Sequence, residues 1–396
     1  MIKKAVDDMD FVDVSKKDLA DIYRFWSSLV DYKNGGFYGR VDFDLNVHKD
    51  AEKGVILNSR ILYFFSVYAY INKSEEAKKL AKHAFEFLKL AYDHKNGGLY
   101  WSLDYKGKPL DTTKHTYNQA FGVYALSYYY LLTEDKEAKE YAYALFDVIE
   151  NKCREADSNH YYIEAQKENF VIEENDKLSE NGVIATRTMN TLLHLLEAYT
   201  ALYHVFGTQK YKESLEKIVK MFIRDIYDSK NKSLKVFFDK DYKSIIDLES
   251  YGHEIETSWL LTEAVDLLDD KSLKAEVDEI SISLANSVLN RAYKPPFILN
   301  ECDKGVVDDT RVWWIQAEGV NGYINAYQLT KNKEYLDIAE VLLNGIQKYF
   351  IDKRTNSEWF WDLSNDNLPT SKRDIVEPWK CPYHNGRMCF EILKRM

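Results

Sequence analysis

Apolar residues recur along this chain at three- and four-residue intervals, the spacing that lines one face of a helix. With helix start and stop signals added, the pattern predicts twelve helices. They cover 15–30, 55–72, 75–91, 115–132, 137–152, 185–206, 210–227, 253–268, 272–292, 312–330, 333–350 and 384–395. These spans fall into two kinds. The fifth sets acids and lysines along one face, as a helix on the outside of a bundle does. The second, fourth, sixth, eighth and tenth are apolar nearly all round, which marks a buried helix. Their runs are broken only by isolated polar residues: Arg60, Tyr117, Gln119, Asn190, His194, Glu197, Glu256, Gln316 and Glu318. A buried charge needs a partner or a function. If these helices form an inner ring, the polar groups aim at a central cavity.

The segments between helices carry a second rhythm. Asn34-Gly35-Gly36-Phe37-Tyr38 returns 62 residues later as Asn96-Gly97-Gly98-Leu99-Tyr100. Weaker echoes follow at His160-Tyr161-Tyr162-Ile163, Leu234-Lys235-Val236-Phe237-Phe238 and Glu358-Trp359-Phe360-Trp361, each read as a short strand or hairpin ahead of the next helix pair. Self-similarity at a fixed period marks a repeat architecture. Six units of two helices account for all twelve spans. Closed in a ring, they make an all-α (α/α)6 barrel with short hairpins in its loops, one domain over 1–396; left open, they make a helical solenoid.

Composition narrows the chemistry. The net charge is −11 and no Lys/Arg-rich stretch stands out, which argues against a nucleic-acid surface and favours a neutral ligand. Aromatic residues reach 14% of the 396 positions, enough to wall a sugar site, although helix–helix packing accounts for most of them. None of the four cysteines forms a C-x-x-C pair, so zinc-site spacings are missing. Residues 1–8 show no apolar signal region, and no apolar run reaches the ~18 residues of a membrane span. A cytoplasmic monomer, bound neither to nucleic acid nor to membrane, is expected.

Three of the nine histidines, His194, His253 and His384, stand in semi-buried contexts, whereas the other six read as polar and ordinary. Histidine is the side chain best suited to move protons near neutral pH. His194/Glu197 and His253/Glu256 share a three-residue spacing that puts each pair on one helical face. A carboxylate so placed fixes an imidazole's tautomer. Two hydrogen-bonded structural histidines would satisfy the same spacing, as would a metal site, but the order is reversed from the di-metal pattern and no bridging carboxylates are evident. Arg60 is either half of an ion pair with a buried glutamate or a donor to a developing oxyanion. Trp313-Trp314 with Glu318, and Trp379 with Tyr383, set aromatic faces beside acceptors, the mix that orients a polyhydroxylated ring. His384 follows two prolines at the head of the last predicted helix, whose positive end disfavours imidazolium and keeps it a neutral base.

These residues resemble the cellobiose 2-epimerases, within the superfamily of N-acylglucosamine 2-epimerases and aldose–ketose isomerases. The resemblance is carried by the stretches from Met189 to Tyr199, Ser250 to Trp259, Arg311 to Glu318 and Trp379 to Arg387, with Asn58-Ser59-Arg60, in order over nearly the whole chain. It implies an (α/α)6 barrel and epimerisation at C2 of a reducing-end sugar, with no metal and no cofactor. By carry-over, His253 and His384 remove and return the C2 proton, His194 assists ring opening and proton relay, and Arg60 holds the enediolate. Glu256 and Glu318 bind hydroxyls, Trp314 and Trp379 pack on sugar rings, and Tyr117 and Asn190 are secondary contacts. Two bases with pKa values of about 6–7 suit reversible transfer at neutral pH.

The sequence departs from the family pattern at three places. Leu192 stands where many relatives have a first histidine, altering packing beside the site, and Glu254 and Thr257 replace the usual Asp and Ala. The expected function is C2 epimerisation of β-1,4-linked disaccharides such as cellobiose or lactose. Its rivals are a mannose 2-epimerase, mannose isomerase or N-acylglucosamine 2-epimerase, an inverting glycoside hydrolase using Glu256 and Glu318, and a non-catalytic sugar-binding protein.

Overall fold

The computed structural model describes residues 10–155, 161–179, 182–370 and 372–396. His160 of the third echo, and residues 1–8, lie outside them. Among the described residues there are twelve α-helices: α1 (Phe11–Ser27), α2 (Val55–Asn72), α3 (Glu75–Leu90), α4 (Thr116–Thr133), α5 (Lys136–Val148), α6 (Met189–Phe206), α7 (Gln209–Met221), α8 (Tyr251–Asp266), α9 (Lys271–Arg291), α10 (Trp313–Thr330), α11 (Lys333–Gly345) and α12 (His384–Arg395). The predicted helices that end at 152, 227 and 350 close in a wider five-residue turn instead, at Ile149–Cys153, Phe222–Ile226 and Ile346–Phe350. No helix of the described residues is long and apolar enough to cross a membrane.

The even-numbered helices form a closed inner ring. Each packs on the next, from α2 through α4, α6, α8 and α10 to α12, and α12 returns to α2. Outside them, α3, α5, α7, α9 and α11 each cover the inner helix that precedes them in the chain, while α1 covers α12. The structure is therefore the closed (α/α)6 barrel and not the open solenoid. Sequence patterning explains the layering. Every residue of α2 from Val55 to Ser66 is buried, whereas α3 buries only Ala77, Ala81, Ala84, Phe85, Phe87 and Leu88.

Short strands form a collar at the end where the inner helices begin. Lys53–Gly54, Lys114–His115, Arg187–Thr188, Leu248–Ser250 and Arg311–Val312 each lead into an inner helix. Each pairs antiparallel with a strand further along the chain. A bridge between Val41 and Val376 completes the circuit ahead of α12. The Asn-Gly-Gly repeat is a turn device. Asp31 Oδ1 accepts from the backbone N of Lys33 and Asn34, and Asp93 Oδ1 from those of Lys95 and Asn96. Gly35 and Gly97 then take φ of 84° and 83°, conformations that favour glycine. Buried Lys53 and Lys114, from the collar, neutralise Asp31 at 2.7 Å and Asp93 at 3.0 Å.

The fourth residue of four inner helices clamps the hairpin behind it. Asn58 Oδ1 accepts from Phe37 N at 3.4 Å; Gln119 bonds both N and O of Leu99, at 2.6 and 2.8 Å. Glu254 accepts from Leu234 N at 3.4 Å, and Gln316 bonds both N and O of Ile298 at 2.9 Å. This corrects the expectation for Gln119 and Gln316, which face the hairpins because the backbone groups there would otherwise be unpaired. Glu254 also pairs with Arg291, so its difference from the family pattern faces the outer layer. Leu192 occupies the equivalent position of α6. There the tie is reversed: Glu164 Oε2, from the hairpin, accepts from Thr188 Oγ1 at 2.8 Å and Thr191 Oγ1 at 2.7 Å.

Candidate active site

The collar surrounds a cavity of about 470 Å³. Its wall includes Arg60, Tyr117, Asn190, His194, His253, Glu256, Trp314, Trp379 and His384. One helical register explains the convergence. Tyr117, Asn190 and Trp314 are second residues of inner helices, while Arg60, His194 and Glu256 are sixth residues, one turn deeper. Glu318 is also a sixth residue, but it is not on the wall; it lies fully buried behind His384.

Each histidine is anchored through Nδ1. His194 Nδ1 is 3.0 Å from Glu197 Oε2, as its spacing predicts, and the ring packs on Phe121 at 4.7 Å and Tyr117 at 4.9 Å. His253 does not pair with Glu256. Its Nδ1 meets Ser250 Oγ at 2.7 Å, because Glu256 turns instead to Arg387. His384 Nδ1 meets Glu318 Oε1 at 2.7 Å. Ionised carboxylates only accept, so Glu197 and Glu318 select the Nδ1–H tautomer and leave Nε2 of His194 and His384 bare. Trp314 is the shared neighbour of the other two rings, 4.8 Å from His253 and 5.4 Å from His384 between centroids.

All three imidazoles are held neutral. Burial lowers His194 to about 4 and His253 to about 3. Burial also drives His384 well below 6.5, with the cationic Arg387 and Arg60 adding to it. The values fall below the expected 6–7 because desolvation penalises imidazolium. At His384 burial, rather than the helix end, is the leading cause.

Arg60 lies in an aromatic box, 4.2 Å from the Phe121 ring centroid and 4.7 Å from that of Tyr383. Its Nη2 donates to Tyr117 OH at 2.7 Å and its Nη1 to Trp379 O at 3.4 Å. It forms no carboxylate ion pair among the described residues, so the alternative of a structural pair with a buried glutamate is not what is observed. An unneutralised buried guanidinium on a cavity wall suits an oxyanion.

The buried glutamates belong to a different arginine. Arg387 Nη1 donates to Glu197 Oε1, and its Nη2 donates to Glu256 Oε1 and to Glu318 Oε1, the last at 2.8 Å. Burial would raise Glu197, but Arg387 overcomes it and holds the carboxyl near 2. Burial, reinforced by Glu318, pushes Glu256 up to about 8. Burial raises Glu318 as well, but Glu318 is saturated by donors, with Trp259 Nε1 on Oε2 at 3.0 Å and Arg387 on Oε1, whereas Glu256 Oε2 has no partner among the described residues. The proton of this pair therefore sits on Glu256. Donor atoms of Glu256, Glu318 and His384 lie within 4.8 Å of one another, a spacing open to a metal ion, but the cation that both carboxylates meet here is the guanidinium of Arg387.

The sequence reading assigned no role to Arg387. Its signal was the excess of buried acids: Glu197, Glu256 and Glu318 on apolar helices need a cation beyond Arg60. His115, ordinary by its sequence context, is instead fully buried, its Nε2 3.4 Å from Glu164 Oε1 and its ring 5.1 Å from Trp101. The wall also includes Lys177, Asn300, Glu301 and Arg373, which no motif announced, and Trp361 from the last of the loop echoes. Trp379 lines the cavity, with Trp101 and Tyr117 5.9 and 5.8 Å away. Asn190 Oδ1, on the wall, has no hydrogen-bond partner among the described residues.

Comparison with known proteins matches residues 36–385 to the N-acylglucosamine 2-epimerase (GlcNAc 2-epimerase) family. The chain is 45% identical over 399 residues to the cellobiose 2-epimerase of Eubacterium cellulosolvens, covering 96% of this chain and 97% of that one. It is 43% identical over 382 residues to that of Ruminococcus albus, with the same coverage. The solved structure of cellobiose 2-epimerase from Bacillus thermoamylovorans B4167 superposes with a TM-score of 0.93 at 42% identity, covering 98% of this chain and 99% of that one.

Proposed function

The chain belongs to the N-acylglucosamine 2-epimerase family and is a carbohydrate epimerase; from that premise we propose that it is a cellobiose 2-epimerase, interconverting glucose and mannose at the reducing end of cellobiose and lactose. The observation that carries the reading is the pairing of neutral, Nδ1-anchored histidines with a guanidinium that no carboxylate neutralises, around one cavity. Nε2 of His253 or His384 removes the C2 proton from the opened sugar. The C–H electrons form the C1–C2 double bond, and the carbonyl pair moves to O1, where Arg60 meets the developing charge. The other histidine then delivers a proton to the opposite face of C2, and the reverse reaction exchanges their roles. His194 relays protons during ring opening. The platform Trp314 orients the reacting unit, Trp379 carries the second ring, and Tyr117, Asn190 and Glu256 contact hydroxyls. Glu318, behind His384, orients that imidazole instead of touching sugar.

Every residue in this scheme comes from one chain, and we read the whole of 1–396 as a single catalytic domain acting as a monomer on a neutral sugar. An inverting hydrolase needs two carboxyls on opposite sides of the scissile bond, about 6.5–9.5 Å apart. Glu256 and Glu318 instead accept from the same Nη2 of Arg387.

The test is incubation with cellobiose, lactose or mannose in D2O, followed by NMR. Deuterium at C2 and a mannose-ended disaccharide without cleavage support the reading. Free glucose, a ketose product or no turnover sinks it. His384→Asn should abolish deuterium uptake with the fold intact. Trp379→Ala should weaken disaccharides more than mannose.

A further inference from the structure

Arg387 never reaches the cavity. It is the fourth residue of α12, 1% exposed, and its guanidinium is surrounded by groups from three other inner helices. Nη1 donates to Glu197 Oε1 and to the hydroxyl of Tyr383, while Nη2 donates to Glu256 Oε1 and Glu318 Oε1. Two of these carboxylates extend the contact to an imidazole. Glu197 Oε2 meets His194 Nδ1 at 3.0 Å, and Glu318 Oε1 meets His384 Nδ1 at 2.7 Å. One unbroken chain thus runs His194–Glu197–Arg387–Glu318–His384. His253 stands outside it, on Ser250.

The chemistry of the chain has a direction. A guanidinium can only donate and stays protonated, so it keeps the carboxylates it touches as acceptors. A carboxylate confined to accepting requires N–H at the imidazole nitrogen it faces. Both histidines are thereby held in one tautomer by one residue. Lysine cannot reproduce this, since a point charge lacks the planar fork that reaches three carboxylates at once.

We propose that Arg387 is a positioning residue for epimerisation, setting His194 and His384 together in the Nδ1–H tautomer so that each offers a bare Nε2 to the sugar. This rests on the histidine roles assigned above. Removing the cation leaves Glu197 and Glu318 buried without it, beside a Glu256 that already holds its proton, and both take up protons. A protonated Glu197 or Glu318 then donates to the imidazole and turns it to the Nε2–H form.

The test is long-range 1H–15N NMR on the full-length chain with 15N-labelled histidine, together with C2 deuterium uptake from cellobiose. In Arg387→Met, His194 and His384 should both lose the Nδ1–H signature while His253 is unmoved. The kcat should fall on the order of 100-fold, the cost of misplacing a reacting group, with KM little changed, and Arg387→Lys should recover only part of it. Glu197→Gln keeps the arginine and covers the case in which Arg387 variants do not fold. Its amide oxygen turns to Arg387, its NH2 faces His194, and His194 alone should switch to Nε2–H. Unchanged tautomers in folded Arg387 variants, or in Glu197→Gln, overturn the proposal whatever the activity. Shifted tautomers with undiminished C2 exchange overturn the histidine roles, and the link to catalysis with them.

Discussion

Replacing Gln316 by leucine tests the idea that hairpin clamps hold the site. Gln316 Oε1 accepts from Ile298 N, and its Nε2 donates to Ile298 O, both at 2.9 Å, inside a region where Ile298 is fully buried. Leucine fills similar volume and removes both partners. Each buried backbone group left unpaired costs about 1–3 kcal/mol, so the loss should be about 2–6 kcal/mol. Urea unfolding should show a lower midpoint with an unchanged slope. The functional effect follows from register. The hairpin after Ile298 pairs Glu301–Asp303 with Leu248–Ser250, and Ser250 anchors His253. A loosened hairpin should therefore lower kcat at a temperature where the protein is still folded. Gln316→Glu keeps the acceptor and loses the donor, and should fall between. A loss below about 0.5 kcal/mol, the range of an ordinary surface change, would refute the clamp reasoning.

Other outcomes follow from the same geometry. Arg60→Met should cost on the order of 100- to 1,000-fold in kcat, the scale of one lost oxyanion donor, yet leave the thermal midpoint nearly unchanged because no buried acid is orphaned. Gly252→Ala should impair turnover: a Cβ there comes within 2.5 Å of the Trp314 ring and pushes the platform shared by His253 and His384. Stability should be nearly flat between about pH 4.5 and 6.5 and decline on both sides, as followed by thermal unfolding. His194 and His253, lowered to about 4 and 3, contribute stability that is complete above their ordinary 6.5 and is lost as pH falls toward those values. Glu254 and Glu256, raised to about 8, contribute fully below their ordinary 4.5 and lose it as pH climbs through 8. A maximum above pH 8 would contradict the glutamate sign, and one below about pH 4 the histidine sign.

The helices were legible because burial follows the 3.6-residue period, and the ring because inner helices such as α2 are apolar on every face while α3 is not. The wide turns that close α5, α7 and α11 were not, since they keep the same apolar spacing as the helix before them. In the site, spacing predicted the His194–Glu197 pair but not the partner of His253. Two residues on one face can each find a nearer partner elsewhere, here Ser250 in the strand just before the helix and Arg387 on α12. Gln119 and Gln316 look like cavity residues in one dimension, but their amides match the paired N–H and C=O of a hairpin. Arg387 was hidden because its meaning depends on three acids far away in the chain.

The contact between α12 and α2 also bears on how the protein folds. Arg60 and the Trp379 carbonyl that it meets are 319 residues apart, and His384 and Arg387 sit on the last helix. Pairings so distant in sequence form slowly, because a long loop must close before they are rewarded. Five helical hairpins can assemble as a curved stack before the sixth arrives. Until α12 docks, Glu197, Glu256 and Glu318 face one another without their cation. Catalytic competence should then emerge in a late, separate kinetic phase, after most helical signal has been regained.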